Sequence, residues 1–153
     1  MKRLLFVLAT VAVLVAIAKP ARGENPEHVQ RLLETGACPQ CNLVGADLTG
    51  AHLIGADLRD ANLSYANLTS ANLEGADLTG ANLVGADMTE AFLTNAVMNN
   101  ANLDQVNFTA ALMYDTHVFG ASMEDLTLTD AELYNTAIGV GGSEDQVPLE
   151  MMP

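Results

Sequence analysis

From Cys41 onward the chain repeats one short pattern of apolar and polar positions, five residues long. After Cys41 a small residue stands at every fifth place: Ala46, Ala51, Ala56 and so on to Ala101. Two residues after each comes a large apolar one: Leu43, Leu48, Leu53 and Leu58, continuing through Met88, Met98, Phe108, Val118 and Leu128 to Ile138. The residue between the two is usually Asp or Asn. No insertion breaks the phase from Cys41 to Val140, which makes twenty repeats.

A period of five suits neither an amphipathic helix, which needs apolar residues near every 3.6, nor a half-buried strand, which needs every second one. It calls for a chain that turns by a fixed angle every five residues. A square coil does this, with a short extended segment on each side, a turn at each corner and four repeats per circuit. Residues two apart on an extended segment point the same way. The small and large residues of each repeat therefore face inward, and the residue between them and the one after the large one face outward. Residues twenty apart stack in ladders, such as Leu43, Leu63, Leu83, Leu103 and Met123. Twenty repeats make five coils, and at about 4.8 Å per coil the body is roughly 24 Å long. Gly45, Gly50, Gly55, Gly75, Gly80 and Gly85 fall at corners, where a turn wants permissive backbone. Later repeats drift, with Val106 and Leu126 in small positions on one side and Thr116 and Thr136 on another. A buried Thr must find a hydrogen-bond partner, so the last coils are expected to be less regular.

Ala61-Asn62-Leu63-Ser64-Tyr65 and Ala76-Asp77-Leu78-Thr79-Gly80 have the form A-(D/N)-L-x-x. On these residues the chain resembles the pentapeptide-repeat family, over residues 41–140. The resemblance implies an all-β solenoid, a right-handed quadrilateral β-helix. Periodicity alone gives the inward pairs and not the hand.

The two ends read differently. Residues 1–18 have the layout of a secretory signal peptide: Lys2 and Arg3, an apolar run from Leu4 to Val15, then Ala16-Ile17-Ala18 as a cleavage site. The run is shorter than the roughly 20 residues of a spanning helix, and an uncleaved anchor is the alternative. Residues 19–40 form a linker and a short capping helix, with Asn25 as N-cap, Pro26 at the first helical position and Gly36 as the stop. Val29, Leu32 and Leu33 make an apolar stripe suited to covering the first coil, since a solenoid needs caps at its ends. Beyond Gly139-Val140-Gly141-Gly142-Ser143 the tail 141–153 has no periodicity, and no helix is evident to cover the last coil.

Cys38 and Cys41 are the only cysteines, in the order C-P-Q-C. Extending the phase backwards puts Cys41 in the first small inward position and Cys38 in the large inward position of a partial repeat before it. A thioredoxin-type motif needs a βαβ context that is missing, and a zinc site needs two further ligands. A structural disulfide joining cap to coil is the expectation for an exported chain. A reduced buried pair and a redox switch stay open. Lumenal pentapeptide-repeat proteins resemble this arrangement.

Charge narrows the partners. The chain carries 6 basic and 19 acidic residues, a net charge of −13. Loss of residues 1–18 removes Lys2 and Arg3 and leaves −15, and Arg59 is the only Lys or Arg of the repeats. That disfavours nucleic acid and anionic lipid, whose phosphates are bound through Lys and Arg. His28, His52 and His117 stand beside no nucleophile, and no motif implies a cofactor, a metal or an enzyme. Outward Thr49, Thr69, Thr89, Thr109 and Thr129 form a column, read as β-propensity on an exposed face; one rank of Thr beside Asp and Asn is poor evidence for an ice-binding plane.

One side breaks the polar rule: Phe92 and Leu112 stand where Asp or Asn is usual, Tyr114 and Tyr134 follow the inward residue there, and Val97 and Phe119 lie on the next side. A cluster of this kind can mark a contact surface. The reading is an exported structural or interaction module of the periplasm, thylakoid lumen or extracellular space. It would meet a protein partner or a second copy through its C-terminal half, a mode that some pentapeptide-repeat proteins use to dimerise. The alternative is a DNA mimic, since the acidic quinolone-resistance members of the family resemble the chain and bind gyrase. A signal peptide speaks against that role.

Overall fold

The computed structural model describes residues 23–136. The signal read in residues 1–18, the linker up to residue 22, Ile138, Val140 and the tail 141–153 lie outside the described residues. From Ala37 onward the backbone bridges residues twenty apart, always in parallel, from Ala37 with Asp57 to Asn107 with Thr127. Four pentapeptides therefore make one circuit. Most sides pair through one isolated bridge, because three extended residues between two turns leave room for little more. Only β1, Leu112–Tyr114, and β2, Glu132–Tyr134, form a longer ladder, in the register Leu112 with Glu132 and Tyr114 with Tyr134.

Every backbone N–H of a regular repeat has a partner, as buried backbone demands. In Ala61–Tyr65, Ala61 N–H closes the turn onto Leu58 O at 3.1 Å, and Asn62 N–H donates back to Cys41 O at 2.8 Å. Leu63 N–H and Tyr65 N–H donate forward to Asn82 O at 2.7 Å and Val84 O at 2.9 Å. The fifth donor, Ser64 N–H, points along its own corner and is accepted by Asn62 Oδ1 at 3.2 Å. This is the physical reason for Asp or Asn in the motif: a short side chain with an oxygen serves the amide two residues on. Eleven corners close this way, for example Asp47 to Thr49, Asn82 to Val84 and Asn107 to Thr109.

The last residue of each repeat takes the left-handed conformation whatever its identity, from Gly45 at φ 68 to Tyr65 at φ 58 and Ala110 at φ 54. Glycine is also needed for space at Gly85, where a Cβ would meet the Tyr65 ring at 2.7 Å.

Inside, the Leu43, Leu63, Leu83 and Leu103 ladder is sealed, and Phe108 fills a Leu place beside buried Val106. Burying each such side chain is worth about 1.5–3 kcal/mol. The late threonines do mark a change of pattern: β1 and β2 end two residues before them, and Thr116 N–H donates to Thr136 Oγ1 at 3.4 Å and not to the turn carbonyl that the alanines use. Thr116 Oγ1 donates to Leu93 O at 2.8 Å and Thr136 Oγ1 donates to Met113 O, so each hydroxyl pins its coil to the one before. What fades is burial: Met123, Leu126 and Leu128 are partly covered and Leu133 is exposed.

At the other end α1, Pro26–Thr35, lies on the first coil. Asn25 Oδ1 accepts from Glu27 N–H, and Gly36 stops the helix in the left-handed conformation. Leu32 is buried and Val29 packs on the core, whereas Leu33 is 55% exposed. The stripe is thus two residues wide and not three, since one residue along a helix turns about 100° from its neighbour. The first coil has no coil before it to accept Asn42 N–H, and His28 Nδ1 accepts it at 2.9 Å. Asn25 N–H donates to Asn42 O at 3.2 Å, serving the same exposed edge. Cys38 and Cys41 are buried beneath the helix with their sulfurs bonded and their Cα atoms 5.4 Å apart.

Asn82→Ala removes one corner acceptor and should cost about 1 kcal/mol in chemical unfolding. Ala110→Gly removes left-handed strain and should gain about 0.5 kcal/mol after glycine's entropy is counted. Equal shifts of one sign would contradict these roles of Asn82 and Ala110 at their corners. For the cysteines, mass spectrometry of native protein should find one Cys38–Cys41 bridge and no free thiol. Cys38→Ser should lower stability by about 2 kcal/mol, the entropy of a very short loop. A variant of full stability that loses a reducible activity would favour the redox reading.

Candidate interaction surface

The outward position between the inward pair is where the side chain should serve its corner, so exceptions are informative. One side carries His52, Asn72, Phe92, Leu112 and Glu132 in succession, bridged His52 to Asn72, Asn72 to Phe92 and Phe92 to Leu112. Of these only Asn72 gives its oxygen to the corner, accepting from Glu74 N–H at 3.0 Å. Phe92 and Leu112 have no oxygen to offer, and neither has Val97 on the next side. Other departures are repaired from the coil before: Phe119 N–H donates to Asn99 Oδ1 at 2.9 Å, and Glu124 N–H to Asp104 Oδ1 at 2.9 Å.

The structure thus places four of the candidate residues together. Phe92 and Leu112 are bridged neighbours, Phe92 being 44% exposed and Leu112 half-buried. Tyr114, two residues on, stacks edge-on against Tyr134 of the next coil, ring centroids 6.4 Å apart at 90°. Tyr134 is 67% exposed. Phe119 is also freely exposed but stands one corner further on, after His117, whose bridge partner is Val97. Exposed Ile54 and Tyr65 escaped the sequence reading. Ile54 follows a position, His52, that also lacks Asp or Asn, which is the signal that could have found it.

Carboxylates lie on this surface and on the neighbouring sides. Glu132 accepts a hydrogen bond from the Tyr114 hydroxyl, which holds the phenol's pKa above its ordinary 10.0. Asp115 accepts from Asn135 Nδ2. Asp104 accepts from Ser122 Oγ at 2.6 Å and from Glu124 N–H, and these bonds hold its carboxyl below the ordinary 3.8. Towards the N-terminal end, Arg59 forks onto Asp57 with Nε and Nη2 at 2.8 and 2.7 Å, which lowers the Asp57 carboxyl's pKa. Among the described residues no three His, Cys, Asp or Glu side chains converge as metal ligands.

The Tyr114–Glu132 bond has a spectroscopic consequence. A group whose folded pKa is raised favours the native state below its unfolded pKa, and that support is lost as pH rises through the folded value. Ultraviolet titration should therefore show the Tyr114 phenol ionising above 10.0, and Glu132→Gln should bring it back down. An unchanged curve would mean the bond does not persist in solution.

Known proteins align with this architecture. The family described as pentapeptide repeats matches in eight copies, over residues 41–80 and 76–113. A pentapeptide repeat protein from Nostoc PCC 7120 is 30% identical, the match covering 74% of this chain and 99% of that one at a TM-score of 0.59. One from the Arabidopsis thaliana thylakoid lumen is 27% identical, over 80% and 79% of the two chains, with a TM-score of 0.52. HetL, a pentapeptide repeat protein involved in heterocyst differentiation regulation from the cyanobacterium Nostoc sp. strain PCC 7120, is 29% identical at a TM-score of 0.51. That match covers 65% of this chain and only 52% of HetL. No curated protein sequence matches. These relatives imply the right-handed quadrilateral β-helix, and the chain belongs to the pentapeptide repeat family.

Proposed function

We propose that this chain is an exported, non-enzymatic interaction module of about five coils, capped by α1, that docks a protein partner on the face built by Phe92, Leu112, Tyr114 and Tyr134. One observation carries the reading. The corner acceptor present at eleven other places is replaced by apolar side chains at Phe92, Val97 and Leu112. Each replacement forgoes a hydrogen bond worth about 1 kcal/mol. Local rules broken together, without a compensating bond, are the mark of a surface selected for contact.

Several features support the rest. The layout of residues 1–18 is that of a signal, a disulfide suits an oxidising compartment, and one similar protein comes from a thylakoid lumen. The periplasm, a thylakoid lumen or the extracellular space would each fit. The side chains most able to do chemistry already have structural work: His28 closes the first coil, Cys38 and Cys41 are bonded together, and Arg59 is held by Asp57.

Phe92→Asn/Leu112→Asn is the informative variant, because it restores the family pattern while removing the apolar face. It should melt no lower than wild type, since regained corner bonds of about 1 kcal/mol each replace the contacts of partly exposed side chains. Crosslinking in the native compartment should then lose the partners that wild type captures. Retention of the same partners by the stably folded variant would refute this docking surface.

A further inference from the structure

We infer that the Phe92–Leu112–Tyr114–Tyr134 face takes a cationic amphipathic segment of another protein, apolar along its centre and lysine- or arginine-rich at its edges, and not a second copy of this chain. The inference rests on the docking reading above and adds the chemistry of the partner.

The face has an apolar centre with charge around it. No Lys or Arg follows Arg59 in the sequence, while residues 104–136 alone hold Asp104, Asp115, Glu124, Asp125, Asp130 and Glu132. Two of these belong to the face itself. Glu132 pairs with Leu112 in the β1–β2 register and accepts from the Tyr114 hydroxyl, and Asp115 adjoins Tyr114. A partner that buries the tyrosines must therefore also cover these carboxylates. Hydrogen bonds to Tyr114 and Asn135 occupy only some of their lone pairs. Lysine or arginine at the partner's edge supplies the missing donors and offsets the charge.

A second copy meeting this face with its own offers no Lys or Arg there, since none follows Arg59. Among the described residues its only Lys or Arg side chains are Arg31 and Arg59. Arg31 Nε donates to Ala37 O at 3.0 Å beneath the first coil, and the Arg59 fork is held by Asp57, with Asp77 Oδ2 at 3.8 Å. Face-to-face association would set carboxylate against carboxylate, a like-charge contact that disfavours binding by several kcal/mol. Phosphate backbones are repelled on the same ground. The apolar centre matters equally, because charge alone would spread a cationic ligand over the whole acidic surface and not seat it at Phe92.

The test uses the mature protein and two labelled peptides, one alternating leucine with lysine and the other leucine with glutamate, read by fluorescence anisotropy at physiological salt. The lysine peptide should bind, and the glutamate peptide should bind at least roughly tenfold more weakly. Phe92→Asn/Leu112→Asn should weaken the lysine peptide by about tenfold or more, the loss expected when a central apolar anchor is removed. Asp115→Asn/Glu132→Gln should weaken it as well, whereas Asp47→Asn/Asp87→Asn, equal in charge but on another side, should change it little.

Three outcomes would overturn the proposal. If both acidic pairs reduce binding equally and the Asn pair leaves it unchanged, the peptide is merely following net charge. If the protein sediments as a dimer that the Asn pair dissociates, the face is a self-association surface; the docking reading then survives and the cationic partner does not. If native crosslinking depends on Phe92 and Leu112 but the captured segment lacks basic residues, the same separation holds.

Discussion

One amide per corner completes the regular coil of this molecule wherever the repeat keeps its Asp or Asn. Four of the five N–H groups of a repeat are met by backbone carbonyls within the turn or on adjacent coils, and the fifth is left facing its own corner. Without its acceptor such an amide would forgo a hydrogen bond worth about 1 kcal/mol, repeated at the eleven corners that Asp or Asn closes. Asp or Asn two residues earlier prevents that loss with a side chain short enough to stay local. The alanine and leucine fill the inside, the Asx side chain closes the corner, and the left-handed final residue turns the chain.

The same constraint explains how the N-terminal end is finished. A first coil presents donors and acceptors with no coil behind them, so an apolar lid alone would leave them unmet. Here α1 brings Leu32 against the core and also brings His28 Nδ1 to Asn42 N–H and Asn25 N–H to Asn42 O. The buried cysteine bridge ties the segment leaving the helix to the first full repeat. Lid, hydrogen bonds and covalent tie act on one edge, each through a different kind of interaction.

On the outer surface the rule is relaxed where Phe92, Val97 and Leu112 replace the acceptor, and it is kept by borrowed oxygens at Asn99 and Asp104 nearby. The difference separates drift from selection. A departure repaired by a neighbour keeps the coil intact and needs no further reason, whereas apolar side chains that repair nothing need one. Their setting among carboxylates, in a half of the chain without a cation, makes the surface amphipathic in charge as well as in polarity.

The sequence alone carried the solenoid, because a period of five leaves a chain that must turn every five residues and the inward pairs followed from extended geometry. It carried the helix from Asn25 to Gly36 for an equally local reason, since caps and stops are written in adjacent residues. It also singled out Phe92, Leu112, Tyr114 and Tyr134, because the regular pattern makes an apolar exception visible. Tertiary structure decided what depends on partners twenty or more residues away. The late threonines tighten their coils because Leu93 O and Met113 O lie one coil back, Leu33 turns outward because one helix face fits the coil mouth, and His28 serves an amide fourteen residues on. None of these distances appears in a five-residue pattern, and each is set by how the coils stack.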